Sequence, residues 1–405
     1  MGEPTLLRLL RDRQVAAVFA ARVTSSAGHG FGRLALTWGT LELGHGAGGV
    51  SLVLACEAIP QLLLVLAGGI ISDRFRRNRV LVGADLLSAC TWAGLAACFM
   101  AGAAPLSLVC GLAVLVGVGT ALFSPAVEGI VADLVEGETR QVANALLRQA
   151  AATGLIIGLA LSGVVVAAVG PGWAAALNGV ALLVSAGLLA RLGLQAHTHG
   201  RSSPLAELRV GWREFAARQW LWVIALQGAV VIAVISAFNG VIGPLYMSQG
   251  HGGPRAWGLV AGCEALGTLV GGRIAAHWYP LRPIMAAVLL IAPLGVPMLL
   301  LAAGSAWPVL ACAMLVAGVC QTTFATFWAT TVQNSVPNEV LSRVRSWDLL
   351  GALTLAPLGL LVAGPVAATA GTEPTAAGGG LLILTAAALA LLSPQVRTLR
   401  RPSTN

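Results

Sequence analysis

Long apolar stretches separated by short polar turns are the dominant pattern along this chain of 405 residues. Each stretch holds about 20 residues with few charges, the length that an α-helix needs to cross a hydrocarbon core of ~30 Å. The turns are rich in glycine and proline, as at residues 44–48 and 170–172. The pattern predicts twelve membrane-spanning helices, at residues 16–42, 49–71, 80–101, 105–131, 145–168, 172–194, 220–247, 256–278, 283–303, 307–332, 346–369 and 375–394.

Arginine is distributed unevenly among the turns. Residues 69–79, between the second and third spans, carry four arginines and one aspartate, whereas Arg255 is the only arginine in the turns of the opposite side. Basic loops stay on the cytoplasmic side of a membrane. We therefore expect residues 69–79 and both termini to be cytoplasmic.

The longest polar stretch, residues 195–219, follows the sixth span. Its second part places apolar residues on one face of a short helix, which is typical of a helix that lies at the membrane interface. The stretch predicts three parts: a six-helix bundle at 1–194, a cytoplasmic linker at 195–219, and a second six-helix bundle with a cytoplasmic tail at 220–405.

The two halves also resemble each other in sequence. Ala-Cys-Glu-Ala at residues 55–58, in the second span, aligns with Gly-Cys-Glu-Ala at residues 262–265, in the eighth. Parallel six-helix repeats form one large transporter fold, in which the substrate site lies between the repeats. We therefore expect an all-α integral membrane protein of two pseudo-symmetric six-helix bundles.

Composition excludes several classes of protein. The chain is 57% hydrophobic and 10% charged, against about 25% charged residues in soluble domains. Its net charge of +8 comes from arginine without lysine. No basic face of a folded domain with motif support accompanies this charge, so we expect no nucleic-acid partner. Without lysine there is no P-loop lysine and no Schiff base. The chain has no HExxH motif and its seven cysteines lack metal-binding spacing, so we expect neither an enzyme nor a metal site.

The basic turn also carries a family resemblance. A glycine, three residues, then Asp-Arg and a trailing basic cluster resemble the loop 2–3 signature of the major facilitator superfamily, with arginine where a second glycine is usual. Segments at residues 21–25, 85–87, 123–126 and 357–365 resemble the enterobactin-exporter and macrolide-efflux branch. The matching signature residues are Gly69, Asp73, Arg74, Arg77 and Arg79.

The fifth span departs from a related pattern. Gly154, Gly158 and Gly163 have the spacing of the glycine-rich signature of drug/proton antiporters, but Leu159 stands where its proline belongs. The departure leaves the coupling mechanism open and does not affect the fold.

The charges of the basic turn are candidates for a gating latch, since charges near a membrane need a partner or a purpose. Asp73, after Gly69 near the end of the second helix, would face the N-terminus of the eleventh helix and interact with its dipole. Arg74 and Arg77 would pair with acidic residues such as Asp133. The alternative is that these charges serve only to orient the chain in the membrane.

Three buried acidic residues are candidates for proton coupling. Burial makes the charged form of a carboxyl group less favourable, so such a group can bind and release a proton as its access to water alternates. Glu57 lies at the depth of Arg33 on the first helix, which would neutralise it in a static pair. Glu264 has no basic residue at its depth on the seventh helix, so we favour Glu264. Asp85 is the third candidate, although salt bridges of a gate are the default near inner helix ends.

Six further side chains are candidates for lining a substrate cavity. His29 and Arg33 lie four residues apart on one helix face, where they would attract an anionic group unless Glu57 satisfies them. Aromatic residues would line a cavity for a polycyclic ligand, although they more often pack or anchor at interfaces. The candidates are His29, Arg33, Trp38, Asn239, Phe324 and Trp328.

These observations favour a secondary active efflux transporter that exports an amphipathic small molecule, such as a drug, antibiotic, siderophore or other secondary metabolite, by proton antiport with alternating access. The alternative is a proton-coupled symporter that imports a small polar nutrient, although two tyrosines in the whole chain suit a sugar site poorly. We expect a multi-pass protein of the bacterial cytoplasmic membrane, in contact with lipids, functional as a monomer, with the proton gradient in place of a cofactor.

Overall fold

The computed structural model describes residues 12–74, 77–134, 139–192, 212–278, 280–337 and 354–399, with single residues and pairs between 340 and 351. Side chains are described except at residues 65–74, 77, 124–126, 128–134 and 139–141. All regular secondary structure in these residues is helical. The chain divides into two compact units, Met1–Gly200 with Gly253–Gly262, and Arg201–Gly252 with Cys263–Asn405.

Six long helices make up most of the first unit. The first of them begins after Asp12, whose side chain accepts hydrogen bonds from the backbone N–H groups of Gln14 and Val15 at 2.8 and 3.4 Å, as an N-cap residue does. The helices are α1 (Arg13–Glu42), α2 (Gly46–Arg74), α3 (Arg77–Ala101), α4 (Leu106–Leu134), α5 (Thr139–Val169) and α6 (Pro171–Ala190). Helix α1 packs against α5 and α6, α3 against α6, and α2 against α4.

The second unit contains the remaining helices, except that the first ten residues of the second of them, Gly253–Gly262, belong to the first unit. They are α7 (Gln219–Ser248), α8 (Gly253–His277), α9 (Pro283–Ala302), α10 (Trp307–Ser335), α11 (Ala356–Ala370), α12 (Thr372–Leu392) and the short α13 (Pro394–Thr398). Two of them are not regular throughout, since α7 contains a π segment at Phe238–Ile242 and α9 a 3₁₀ segment at Ala292–Gly295. Helix α7 packs against α11 and α12, and α9 against α12.

In the described part of the chain, ten helices are long and apolar enough to cross a membrane. Helix α1 is 30 residues long but is more polar, since it carries Arg22, His29 and Arg33. Helix α11 has 15 residues and is a shorter apolar helix. The structure therefore confirms the predicted all-α membrane architecture.

The internal repeat extends to the turns between helices. Gly170, between α5 and α6, has φ of 92°, and Gly371, at the equivalent turn between α11 and α12, has φ of 93°. Gly102 and Gly304 follow α3 and α9 with φ of 65° and 68°. Only glycine adopts such angles without steric cost, so the glycines allow these helices to reverse direction within a few residues.

The repeat also extends to helix packing around the two aligned glutamates. Gly117 of α4 lies directly against the carbonyl oxygen of Glu57 in α2, and Gly318 of α10 lies in the same way against the carbonyl oxygen of Glu264 in α8. A Cβ atom at either glycine would overlap that oxygen. Each unit therefore holds its glutamate-bearing helix in close backbone contact with the helix two positions later.

Candidate functional site

Two polar side chains meet inside the second unit. Nδ2 of Asn239 in α7 donates to both carboxylate oxygens of Glu264 in α8, at 3.3 Å to Oε1 and 3.0 Å to Oε2. The sequence predicts each residue for a separate reason, Glu264 for proton coupling and Asn239 for a substrate cavity. The structure brings the two into contact, and their roles stay predictions.

A local irregularity of α7 carries Asn239. The N–H of Gly243 donates to the carbonyl of Phe238, five residues earlier, which is the π-helical pattern. Pro244 follows and has no N–H to donate, so a carbonyl one turn earlier loses its α-helical partner. Single π turns inside α-helices occur frequently at functional sites.

One acceptor of this site is unsatisfied. Oδ1 of Asn239 is buried and makes no hydrogen bond within the described part of the chain. A buried polar atom without a partner is unfavourable by about 1–3 kcal/mol. Beside the Glu264 carboxylate, Oδ1 can accept from a protonated carboxyl group, a hydroxyl group or an ammonium group.

A small cleft adjoins the Asn239–Glu264 pair. Its volume is about 10 Å³, roughly the space of one water molecule. Gln321 of α10 is a third polar residue at its wall, and sequence reasoning missed it, although a glutamine within an apolar span is a usable signal. The other lining residues are apolar: Ile235, Phe238, Leu294, Met298, Met314 and Ala317.

The equivalent glutamate of the first unit has a different environment. Arg33 of α1 is the charge that acts on Glu57, but the Arg33 side chain is exposed. No ion pair within 4 Å joins Arg33 to Glu57, both of which are described. His29 donates from Nδ1 to the Ser25 carbonyl oxygen of its own helix at 2.6 Å.

The third acidic candidate lies in a polar cluster of the first unit. Asp85 of α3 is 2% exposed, and its neighbours are Ser185 of α6 and Arg22 of α1. The guanidinium carbon of Arg22 also lies 5.9 Å from the ring centroid of Phe123. Sequence reasoning did not name Arg22 as a site residue, although an arginine well inside an apolar helix is costly enough to require a partner.

The aromatic cavity candidates lie in separate surroundings. Trp38 is buried in α1, with 4% of its surface exposed. Phe324 packs on an apolar cluster that includes Phe327. Nε1 of Trp328 donates to Asp348 at 2.8 Å, and its ring meets Trp220 edge-on at 5.6 Å. The three candidates, Trp38, Phe324 and Trp328, do not line the cleft beside Glu264.

The predicted latch lies outside the described side chains. The backbone is helical at all five of its positions, and nothing further is described there. The latch therefore stays a prediction for Gly69, Asp73, Arg74, Arg77 and Asp133. Among the described residues, no group of three or more His, Cys, Asp or Glu could hold a metal ion.

Comparison with known proteins gives a consistent result. The sequence model of the Major Facilitator Superfamily matches residues 18–348. The chain is 27% identical over 400 residues to the multidrug efflux pump Tap of Mycolicibacterium fortuitum, which covers 94% of this chain and 96% of that protein. It is 29% identical over 413 residues to the multidrug efflux pump Tap of Mycobacterium tuberculosis, with 94% of each protein covered.

Solved structures show the same fold. A crystal structure of the nucleoside transporter NupG aligns with a TM-score of 0.78 at 11% identity, covering 94% of this chain and 99% of that chain. An inward-facing bacterial homologue of the iron transporter ferroportin aligns with a TM-score of 0.73 at 15% identity, covering 94% of this chain and 98% of that chain. These likenesses confirm the predicted fold class.

Proposed function

The chain belongs to the Major Facilitator Superfamily, and from that premise we propose that it is a secondary active efflux transporter, which exports an amphipathic small molecule in exchange for protons. Two relatives that match nearly its whole length are named multidrug efflux pumps. The observation that carries the proposal is the Asn239–Glu264 pair, a carboxylate inside apolar helices that accepts from the Asn239 amide.

The pair offers one hydrogen-bond arrangement for each protonation state. When Glu264 is ionised, its two oxygens accept from Nδ2 of Asn239. When Glu264 is protonated, its O–H donates to Oδ1 after the Asn239 amide rotates, which satisfies the acceptor that is otherwise unpaired. A carboxyl group can therefore titrate here without leaving an isolated charge among apolar side chains.

In the transport cycle, Glu264 binds a proton from the outer side and releases it to the cytoplasm by alternating access. Ionised Glu264 then attracts a positively charged substrate, and protonation weakens that attraction on the outer side. The proposed location of the protein is the bacterial cytoplasmic membrane, with both termini on the cytoplasmic side.

Glu264→Gln tests the assignment in a pump-deficient bacterial host loaded with ethidium. Cells with the wild-type protein should accumulate several-fold less ethidium than cells without it, and a protonophore should remove the difference. Glu264→Gln should abolish export, because a glutamine cannot exchange a proton. Fluorescence of intracellular ethidium is the measurement.

The matched control is Glu373→Gln, which removes an exposed carboxylate in the first turn of α12 and should leave export unchanged. Export by Glu264→Gln with the wild-type pH dependence would reject Glu264 as the proton carrier. Greater ethidium accumulation with the wild-type protein than without it would instead indicate import.

A further inference from the structure

A second buried carboxyl group lies in the first unit. Asp85 of α3 is 2% exposed, and Ser185 of α6 beside it is 0% exposed. Asp85 is the ninth residue of α3, and Arg22 is the tenth residue of α1. Because both helices begin at the end of the unit that we expect to face the cytoplasm, the three side chains form a polar cluster in the inner half of the unit.

Close packing keeps this cluster away from water. A Cβ at Gly119 of α4 would overlap the Ser88 hydroxyl and lie 3.3 Å from the Ala84 carbonyl oxygen. Helix α4 therefore covers α3 on either side of Asp85. Ala84 also belongs to an apolar cluster with Leu189 of α6. An ionised carboxylate in such surroundings is unfavourable unless a partner compensates its charge.

Within the described residues, no salt bridge compensates Asp85. Arg22 is the described charge that acts on it, but no ion pair within 4 Å joins the two residues, both of which are described. The Arg22 guanidinium carbon lies over the Phe123 ring. Helix α6 and the described parts of α2 and α4 contribute no charge that acts on Asp85. A gate salt bridge, the alternative that the sequence left open for Asp85, is therefore not observed in the described part of the chain.

Two polar atoms of the cluster lack a hydrogen bond. Oδ2 of Asp85 and Oγ of Ser185 are buried and unsatisfied within the described part of the chain. A proton on Asp85 supplies the missing donor, because its O–H can donate to Oγ of Ser185. After the proton leaves, the Ser185 hydroxyl donates to the carboxylate, and the charge of Arg22 stabilises it. The cluster therefore has one arrangement for each protonation state of Asp85.

We propose that Asp85 is a second proton-binding site of the transporter, so that each cycle carries two protons inward, one bound by each unit. The inference rests on the proposed function, for which it specifies the stoichiometry. Exchange of two protons for one monovalent organic cation moves net positive charge inward. The membrane potential therefore adds to the pH gradient as a driving force for export.

The stoichiometry is measured with the full-length protein in proteoliposomes. A pH gradient is imposed while valinomycin and equal potassium concentrations on both sides hold the membrane potential at zero, and the concentration ratio of radiolabelled ethidium is followed to its steady state. At that point the free energy of the proton gradient balances that of the ethidium gradient. With two protons per cycle, the ethidium ratio should grow as the square of the proton ratio.

Asp85→Asn should change this dependence. With Glu264 alone carrying protons, the ethidium ratio should grow in direct proportion to the proton ratio. Glu373→Gln is the matched control, because it removes an exposed carboxylate and should keep the square dependence of the wild type. A direct proportionality in the wild-type protein would overturn the inference, whichever result the variants give.

Carbodiimide labelling gives a readout that needs neither transport nor a variant. Dicyclohexylcarbodiimide is an apolar reagent that modifies protonated carboxyl groups shielded from water. In the wild-type protein in lipid nanodiscs, peptide mass spectrometry should find Asp85 labelled at low pH and less labelled as the pH rises and the proton leaves. The exposed carboxylate of Glu373 should stay unlabelled. An Asp85 that is unlabelled at every pH, or labelled equally at every pH, would overturn the inference, because its carboxyl group would then not exchange a proton.

The inference and the proposed function fail separately. If a pH gradient drives ethidium export by the wild-type protein in direct proportion to the proton ratio, Asp85 is not a second proton carrier and one-proton exchange through Glu264 stands. If a pH gradient drives no ethidium transport while Asp85 labelling changes with pH, Asp85 binds a proton but proton-driven export of ethidium is wrong.

Discussion

At the scale of single residues, one buried asparagine connects three helices of the first unit. Asn178 of α6 is 1% exposed. With its amide assigned the orientation that satisfies both neighbours, it donates to the Gly28 carbonyl of α1 at 2.9 Å and accepts from Trp92 Nε1 of α3 at 3.0 Å. A Cβ at Gly28 would lie 2.6 Å from the Asn178 side chain. The glycine therefore makes the room that this hydrogen bond requires.

Asn178→Leu should destabilise the protein by about 1–3 kcal/mol, because the indole N–H of Trp92 would stay buried without an acceptor. Thermal unfolding of the purified protein in detergent measures the change. A double-mutant cycle with Trp92→Phe is the control: once both partners are apolar, the second substitution should add little. Strictly additive effects would show that the two side chains do not interact.

At the scale of helices, glycines allow α1 and α5 to make backbone contact. A Cβ at Gly30 of α1 would lie 2.6 Å from the backbone nitrogen of Leu159 in α5. A Cβ at Gly158 of α5 would lie 2.9 Å from the Cα of Ala27 in α1. Gly154 of α5 lies in the same way against the carbonyl of Val23. Gly163 likewise lies against the Pro254 carbonyl of α8, so all three glycines of the degenerate antiporter signature serve close packing.

Gly158→Val should force α1 and α5 apart and lower the free energy of unfolding by about 1–3 kcal/mol, as overpacking of a close contact does. The midpoint of thermal unfolding and the yield of monodisperse protein after size exclusion measure this effect. Gly187→Val in α6, where the glycine is open to its surroundings, should change stability by less than about 0.5 kcal/mol. If Gly158→Val and Gly187→Val were equally stable, that result would argue against backbone contact between α1 and α5.

At the scale of the whole molecule, the repeat and the arginine distribution predict one arrangement in the membrane. Equivalent turns carry left-handed glycines, such as Gly102 and Gly304, and equivalent helices carry Glu57 and Glu264. Because basic segments stay cytoplasmic, we expect these glycine turns on the outer side. The asymmetry of the repeat is also informative, since the Asp-Arg pair of residues 73–74 has no counterpart at residues 272–278.

Reporter fusions test this topology. Alkaline phosphatase fused after Gly304 should be active, because the outer side allows its disulfides to form, whereas the same enzyme fused after Asn405 should be inactive. A fluorescent protein should show the opposite result: fused after Asn405 it should fluoresce, and fused after Gly304 it should not. Phosphatase activity at both positions would contradict an even number of spans with cytoplasmic termini.

Much of the candidate site could be anticipated from single residues. A glutamate in an apolar span is costly and implies a partner or a purpose, which identifies Glu264, and its depth points to the region of Asn239 on the seventh helix. The π segment could not be anticipated, because the choice between π and α hydrogen bonds around Pro244 depends on packing. Gln321 joins the cleft only because α10 presents that face to α7 and α8.

The pattern of apolar residues along the chain is enough to predict the helices and their internal repeat. Inside a bilayer the backbone must satisfy its hydrogen bonds within each segment, so apolar length alone specifies helices. Which side chains meet depends on how the helices pack: Asn239 donates a hydrogen bond to Glu264, whereas Arg33 makes no ion pair with Glu57. The packing also leaves Asp85 without an ion pair to Arg22. Such contacts join residues far apart in the chain, and hydrophobic periodicity carries no information about them.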